Sequence, residues 1–127
     1  MRVFVGPSLS SALTETEFTA LVKDFKTYKF SKKLPANFGR DVPYHWPAKA
    51  VQEELFHLHI AEESGWNHEI SQYSRTSDVH LVYSRGFISV DSYVLLAILQ
   101  PNAHAMARNR VIVEALANQA ADFRANY

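Results

Sequence analysis

The sequence predicts an α+β fold, a mostly antiparallel sheet of four to five strands with an N-terminal strand and helix and a C-terminal helix packed on it. Three observations carry this. Apolar side chains recur at helical spacing through residues 14–28, strand-length stretches around residues 56–60 and 92–100 are alternating or wholly apolar, and helical spacing returns after Asn102. The 127 residues fit one domain, 1–127, and a 47% hydrophobic, 13% aromatic composition supplies apolar surface for a single core.

The first strand is expected at residues 2–5, stopped by the turn pair Gly6-Pro7. Thr14 and Glu17 then stand at capping-box spacing, and Phe18, Leu21, Val22, Phe25 and Tyr28 form the buried stripe of a helix. Lys23, Lys26 and Lys33 lie away from that stripe, with Lys29 and Lys32 near its edge. Residues 31–47, SKKLPANFGRDVPYHWP, contain Pro35, Gly39, Pro43 and Pro47 and read as an ordered loop anchored by Leu34, Phe38, Tyr44 and Trp46. Residues 51–61 read as a strand because Phe56 to Ile60 alternates with period two. A short strand near residues 70–75, a turn at 76–78 and a strand at 79–83 follow. The apolar SYVLLAILQ, residues 92–100, is expected in the middle of the sheet, buried on both faces and ended by Pro101. Asn102 is the expected cap of one final helix with Met106, Val113, Leu116, Ala117, Ala120 and Phe123 inside.

Composition excludes several function classes. The chain has no cysteine, which removes disulfides, zinc knuckles and thiol nucleophiles and fits a reducing cytoplasm. The apolar run at the N-terminus is too short for a signal peptide, and the longest one, YVLLAIL, is far below the roughly 20 residues of a membrane span. A cytoplasmic protein without a membrane partner is expected. Formal net charge is zero, but residues 20–50 hold seven lysines and arginines against two aspartates. That segment is either a phosphate-tracking face or an ordinary solvated helix surface.

The chemistry concentrates in three polar clusters that converge if consecutive strands pair: His57 and His59, Arg75 with His80, and His104 with Arg108 one helical turn on. Imidazole exchanges protons near neutrality, and guanidinium forks bind phosphate oxygens. Together they meet the needs of metal-free RNA cleavage, in which a base deprotonates the ribose 2′-hydroxyl, cations stabilise the phosphorane and an acid protonates the departing oxygen. Two other readings stand beside it. His57 and His59 with Glu62 or Glu63 and His104 offer ligands for a metal, or the strand histidines are packing residues with satisfied hydrogen bonds. Tyr73, Tyr83 and Trp46 are candidate base-stacking residues or, as plainly, packing ones.

The stretches QYSRTSDVHLVYSRG and SYVLLAILQPNAHAMAR, with MRVF, LPANFGRDVPYHWP, HLHIAEE and ADFRANY, resemble the YafO family of bacterial type II toxins over nearly the whole chain. The resemblance implies a ribosome-dependent mRNA interferase with a YafN-like antitoxin, contacts to ribosomal RNA and the architecture of RelE-like toxins. In the RelE branch the middle-strand pair is lysine, where this chain has His57 and His59. The expected roles are His59 or His57 as base, Arg75 and Arg108 as phosphate clamps and His80 or His104 as acid. Lys26, Lys29, Lys33, Arg40 and Tyr83 are expected RNA contacts, and no cofactor or metal is called for. A non-cleaving ribosome blocker and a His-ligated metallohydrolase are the alternatives.

Overall fold

The computed structural model describes residues 2–127. Its centre is a five-stranded sheet built from β1 (Arg2–Val5), β2 (Phe38–Pro43), β3 (Phe56–Ile60), β4 (His80–Arg85) and β5 (Ser92–Leu99), in the order β1-β5-β4-β3-β2. β1 runs parallel to β5 and every other pair is antiparallel. The expected α+β fold is therefore the observed one. The apolar β5 is an interior strand, as its composition requires, although β4 holds the centre.

Period-two alternation divides the sheet into two faces. Leu58, Leu81, Tyr83 and Leu95 point to one side, where Phe25 of α2 (Glu15–Phe30) packs among them, with Leu9 of the short α1 (Pro7–Ser10). Val82, Val94, Leu96 and Leu99 point to the other and meet Val113, Leu116, Ala117 and Ala120 of α5 (Arg110–Arg124). α2 begins with both halves of the capping box: the Glu17 amide donates to Thr14 Oγ1 at 3.2 Å, and the Thr14 amide to Glu17 Oε1 at 2.9 Å. The chain's last residue returns to the start of the sheet, where the Tyr127 ring lies 4.8 Å from that of Phe4.

Four expectations change. The loop at 31–47 contains β2, an edge strand with a register break between Phe38 and Asp41, and Pro43 is tolerated at its end, where no ladder hydrogen bond is needed from it. The expected strand at 51–61 begins only at Phe56, because the helix-favouring AKAVQ forms α3 (Ala48–Gln52) and Glu54 then turns with a left-handed φ of 51°. Residues 70–75 make no strand. Gln72–Ser74 form a single 3₁₀ turn, and Gln72 Nε2 donates to the Gly39 carbonyl at 3.0 Å and to Tyr28 Oη at 2.8 Å. The C-terminal helix is two helices, α4 (Ala103–Ala107) and α5: Asn102 stands at the N-cap position of α4 in a left-handed conformation without a side-chain capping bond, whereas Asn109 Oδ1 accepts the Ile112 amide at 3.2 Å and starts α5 afresh.

Gly39 marks where the 61–79 loop crosses β2. A Cβ there would collide with the Arg75 carbonyl oxygen and sit 2.8 Å from Arg75 Cβ. The close approach lets the Arg40 amide donate to that carbonyl at 2.8 Å. Gly39→Ala is expected to lower stability by about 1–3 kcal/mol through this clash, read as a reduced urea midpoint at unchanged slope; an unshifted midpoint would contradict the packing described.

Candidate active site

Antiparallel pairing of β3 with β4 sets His59 opposite His80 and His57 opposite Val82, so three imidazoles share the α5-side face. Ring centroids are 4.1 Å apart for His59 and His80, 5.2 Å for His57 and His80, and 5.9 Å for His57 and His59. His104 of α4 joins from above, 4.8 Å from His80 and 5.9 Å from His59. The four histidines expected to converge do so.

Two residues that sequence reasoning passed over, Ser77 and Asp78, set their orientations. The Ser77 amide donates to His59 Nδ1 at 2.8 Å, and the Ser77 carbonyl accepts from His80 Nε2 at 3.1 Å. An amide can only donate, so neutral His59 carries its proton on Nε2. A carbonyl can only accept, so neutral His80 carries its proton on Nε2 and has a bare Nδ1. Asp78 Oδ1 accepts the His104 amide at 3.0 Å and His104 Nδ1 at 2.8 Å. That bond fixes the Nδ1–H tautomer and leaves the Nε2 lone pair of His104, a largely exposed side chain, directed away from the carboxylate. Hydrogen bonds from the His104 amide and ring lower the Asp78 pKa. The signal in the sequence was the SDVH string itself, short hydrogen-bonding residues immediately before a strand histidine.

Burial is the first cause of depressed basicity across the inner three. It pushes His59 down to about 3 and His57 down to about 4, with positive charge on neighbouring groups adding to it: His80, His104 and Arg40 for both, His57 for His59, and His45 for His57. His80 is lowered by burial as well, against the opposing effect of its bond to Ser77. At neutral pH these rings are uncharged. His57 Nδ1 and His80 Nδ1 are buried without a hydrogen-bond partner, and His57, His59 and His80 offer nitrogen atoms that all lie within 4.8 Å of one another. Glu62, expected as a possible ligand, instead accepts the Asp78 amide at 3.1 Å.

The cationic residues divide differently from expectation. Arg40 lies on the edge strand β2, where its Nε donates to the Tyr73 carbonyl at 2.7 Å and its guanidinium lies 3.9 Å over the exposed Tyr73 ring; its charge is the last of those that lower His57 and His59. Arg108 is exposed at the end of α4, one turn past His104. Arg75 is no phosphate clamp. It is 3% exposed, and its guanidinium donates to the carbonyls of Ile70 at 3.0 Å, Phe38 at 3.2 Å, and Pro35 and Asn67 at 3.4 Å, which occupies the fork with backbone.

Tyr83 and Lys29 lie on the opposite face. Tyr83 is buried against Phe25 and donates its hydroxyl to Asp41 at 2.7 Å, a carboxylate that also takes the Tyr28 hydroxyl at 2.6 Å. Lys29 Nζ is 3.4 Å from the same carboxylate, among the rings of Phe25, Tyr28, Tyr83 and Tyr93, so neither residue is free to meet RNA. Lys26 and Lys33 are exposed, but the helix that carries Lys26 and leads into Lys33 covers the face away from the histidines.

The depressed histidines make acid lability a consequence. Each binds its proton more readily in the unfolded chain, near pH 6.5, than in the fold, so their contribution to stability is complete above about pH 6.5 and is lost as pH falls toward 4 and then 3. Thermal midpoints measured from pH 7.5 to 4 should fall, and fall less steeply in His59→Gln; equal slopes would refute this account.

Comparison with known proteins agrees with the motifs. Residues 26–125 match the family model described as toxin YafO of a type II toxin–antitoxin system. The chain is 36% identical over 133 aligned residues to the mRNA interferase toxin YafO of Escherichia coli strain K12, with 100% of each chain covered. No solved structure matches it. With the family model spanning most of the chain and a full-length relative at this identity, the protein belongs to the YafO family of type II toxin–antitoxin toxins.

Proposed function

We propose that this toxin is an endoribonuclease that cuts mRNA on the translating ribosome, using the 2′-hydroxyl of the message as nucleophile. The observation that carries the reading is the His104–Asp78 pair. Asp78 holds one imidazole nitrogen as a donor, which leaves the other as an acceptor at the exposed edge of a cluster that also presents Arg40 and Arg108. The name of the relative, an mRNA interferase toxin, supports the same activity.

In this mechanism His104 Nε2 accepts the 2′-hydroxyl proton, and the oxygen attacks the adjacent phosphorus. Arg40 and Arg108 stabilise the negative charge that grows on the non-bridging oxygens, where fixed cations contribute more than they do to the substrate. The P–O5′ bond breaks to leave a 2′,3′-cyclic phosphate. Neutral at pH 7, His57 and His59 have no acidic proton for the departing 5′-oxygen, which water protonates, and they are poor bases: burial holds both far below neutrality, and the one lone pair of His59, on Nδ1, is taken by the Ser77 amide. The exposed Tyr73 ring, with Arg40 laid over it, offers an aromatic platform for a base.

A zero net charge provides little general attraction to RNA, which suits an enzyme whose substrate is held in place by the ribosome. Membership of a type II system implies an antitoxin partner; we assign it to the YafN-like class and place the toxin in the cytoplasm. Among the described residues no helix is long and apolar enough to cross a membrane.

His104→Ala should reduce translation-dependent mRNA cleavage by about 10²–10⁴-fold with the fold intact, and Asp78→Asn by a smaller factor. Arg40→Ala should lower cleavage, whereas Arg75→Ala should unfold at lower denaturant. Mapping of message ends after brief expression, alongside circular dichroism of each variant, checks these outcomes. Growth arrest with intact messages would refute the nuclease reading and indicate a ribosome blocker.

A further inference from the structure

Two of the four clustered histidines have a feature that proton transfer does not use. His57 Nδ1 and His80 Nδ1 are buried nitrogen atoms without a hydrogen-bond partner, an arrangement that is costly unless something fills it. With His59 their rings supply three nitrogen atoms, one from each, within 4.8 Å of one another. His80 already has the support common to metal-bound imidazoles, its other N–H donated to a backbone carbonyl, that of Ser77.

We propose that His57, His59 and His80 form a binding site for a late first-row divalent ion of the zinc class, and that filling it shuts the toxin off. An all-imidazole set without carboxylate or thiolate selects zinc, nickel or copper over magnesium or calcium. Zinc–nitrogen bonds of about 2.0–2.1 Å require ligand atoms roughly 3.3 Å apart, so the rings must turn inward from their present spacing.

His59 decides what binding does to the rest of the molecule. Its Nδ1 lone pair is occupied by the Ser77 amide, so the neutral ring has no second lone pair to give a metal. To become a ligand it must release Ser77. The next residue, Asp78, is the one that orients His104. Metal binding therefore loosens the Ser77–Asp78 segment and with it the His104 tautomer. The site itself stands on the buried nitrogen atoms; the inhibitory consequence rests on the nuclease reading above.

The test uses tag-free full-length protein at pH 7.5 and Zn²⁺ alone, by calorimetric titration. We expect a single saturable equivalent, bound at least about tenfold more weakly by each of His57→Ala, His59→Ala and His80→Ala and unchanged by His68→Ala, a histidine outside the cluster. Imidazole ¹⁵N shifts of the wild-type protein give an answer that needs no variant: His57 and His80 Nδ1 should move to metal-bound values together with the Ser77 amide. No saturable binding, or binding that survives all three substitutions in folded variants, overturns the site. In a translation-dependent cleavage assay, Zn²⁺ at saturating concentration should suppress cutting and a chelator should restore it. Binding without inhibition overturns the switch alone. A protein that binds zinc but never cuts mRNA, with or without it, overturns the nuclease reading and the switch built on it, while the metal site stands.

Discussion

The guanidinium of Arg75 is the interaction on which the site depends. The segment between β3 and β4 has almost no regular structure, and a loop of that length pays a large conformational entropy for every ordered residue. Arg75 gathers carbonyls from both ends of its surroundings, Ile70 and Asn67 in its own loop, Phe38 and Pro35 in the approach to β2. A buried charge of this kind is tolerable because its donors are spent on backbone carbonyls, two of which, those of Pro35 and Asn67, also accept a backbone amide. The return of the chain from that clasp brings Ser77 and Asp78 over the histidines, and Gly39 lets the clasp lie flat on β2.

The sheet separates two kinds of polar interior. On the α2 side, Asp41 collects the hydroxyls of Tyr28 and Tyr83 and the ammonium of Lys29, a satisfied network whose groups face one another. Tyr83 and Tyr28 are accordingly pushed above the usual tyrosine range by burial and by that carboxylate. On the α5 side the imidazoles include buried nitrogen atoms with nothing to bond. A satisfied network rigidifies, whereas an unsatisfied one is retained where chemistry or a ligand needs it.

The histidine convergence was legible because it follows from period-two strands and neighbour pairing, which need only residues 56–60 and 80–85 to be read correctly. Tyr83 was legible too, and was misassigned: three residues from His80 in a strand, it cannot share that face. Arg75 was not legible, since an arginine in a polar loop has the same local sequence whether it meets phosphate or carbonyl. Gly39 and Pro43 give the sequence around Arg40 the signature of a loop, though an edge strand accommodates both. The break between α4 and α5 rests on one side-chain bond at Asn109, which competes closely with continuing the helix. Ser77 and Asp78 act through contacts 18 and 26 residues away in sequence, beyond the reach of local pattern.

The parallel ladder between β1 and β5 joins Arg2 to Ser92, and the candidate site takes residues from Arg40 to His104. Neither can exist in a partly made chain. Long-range pairings are slow to close because loop entropy must be overcome before their contacts form. For a protein proposed to cut messages on the ribosomes that also synthesise it, this topology acts as a delay: His104 must have emerged and folded back onto β4 before the toxin has anything with which to cut.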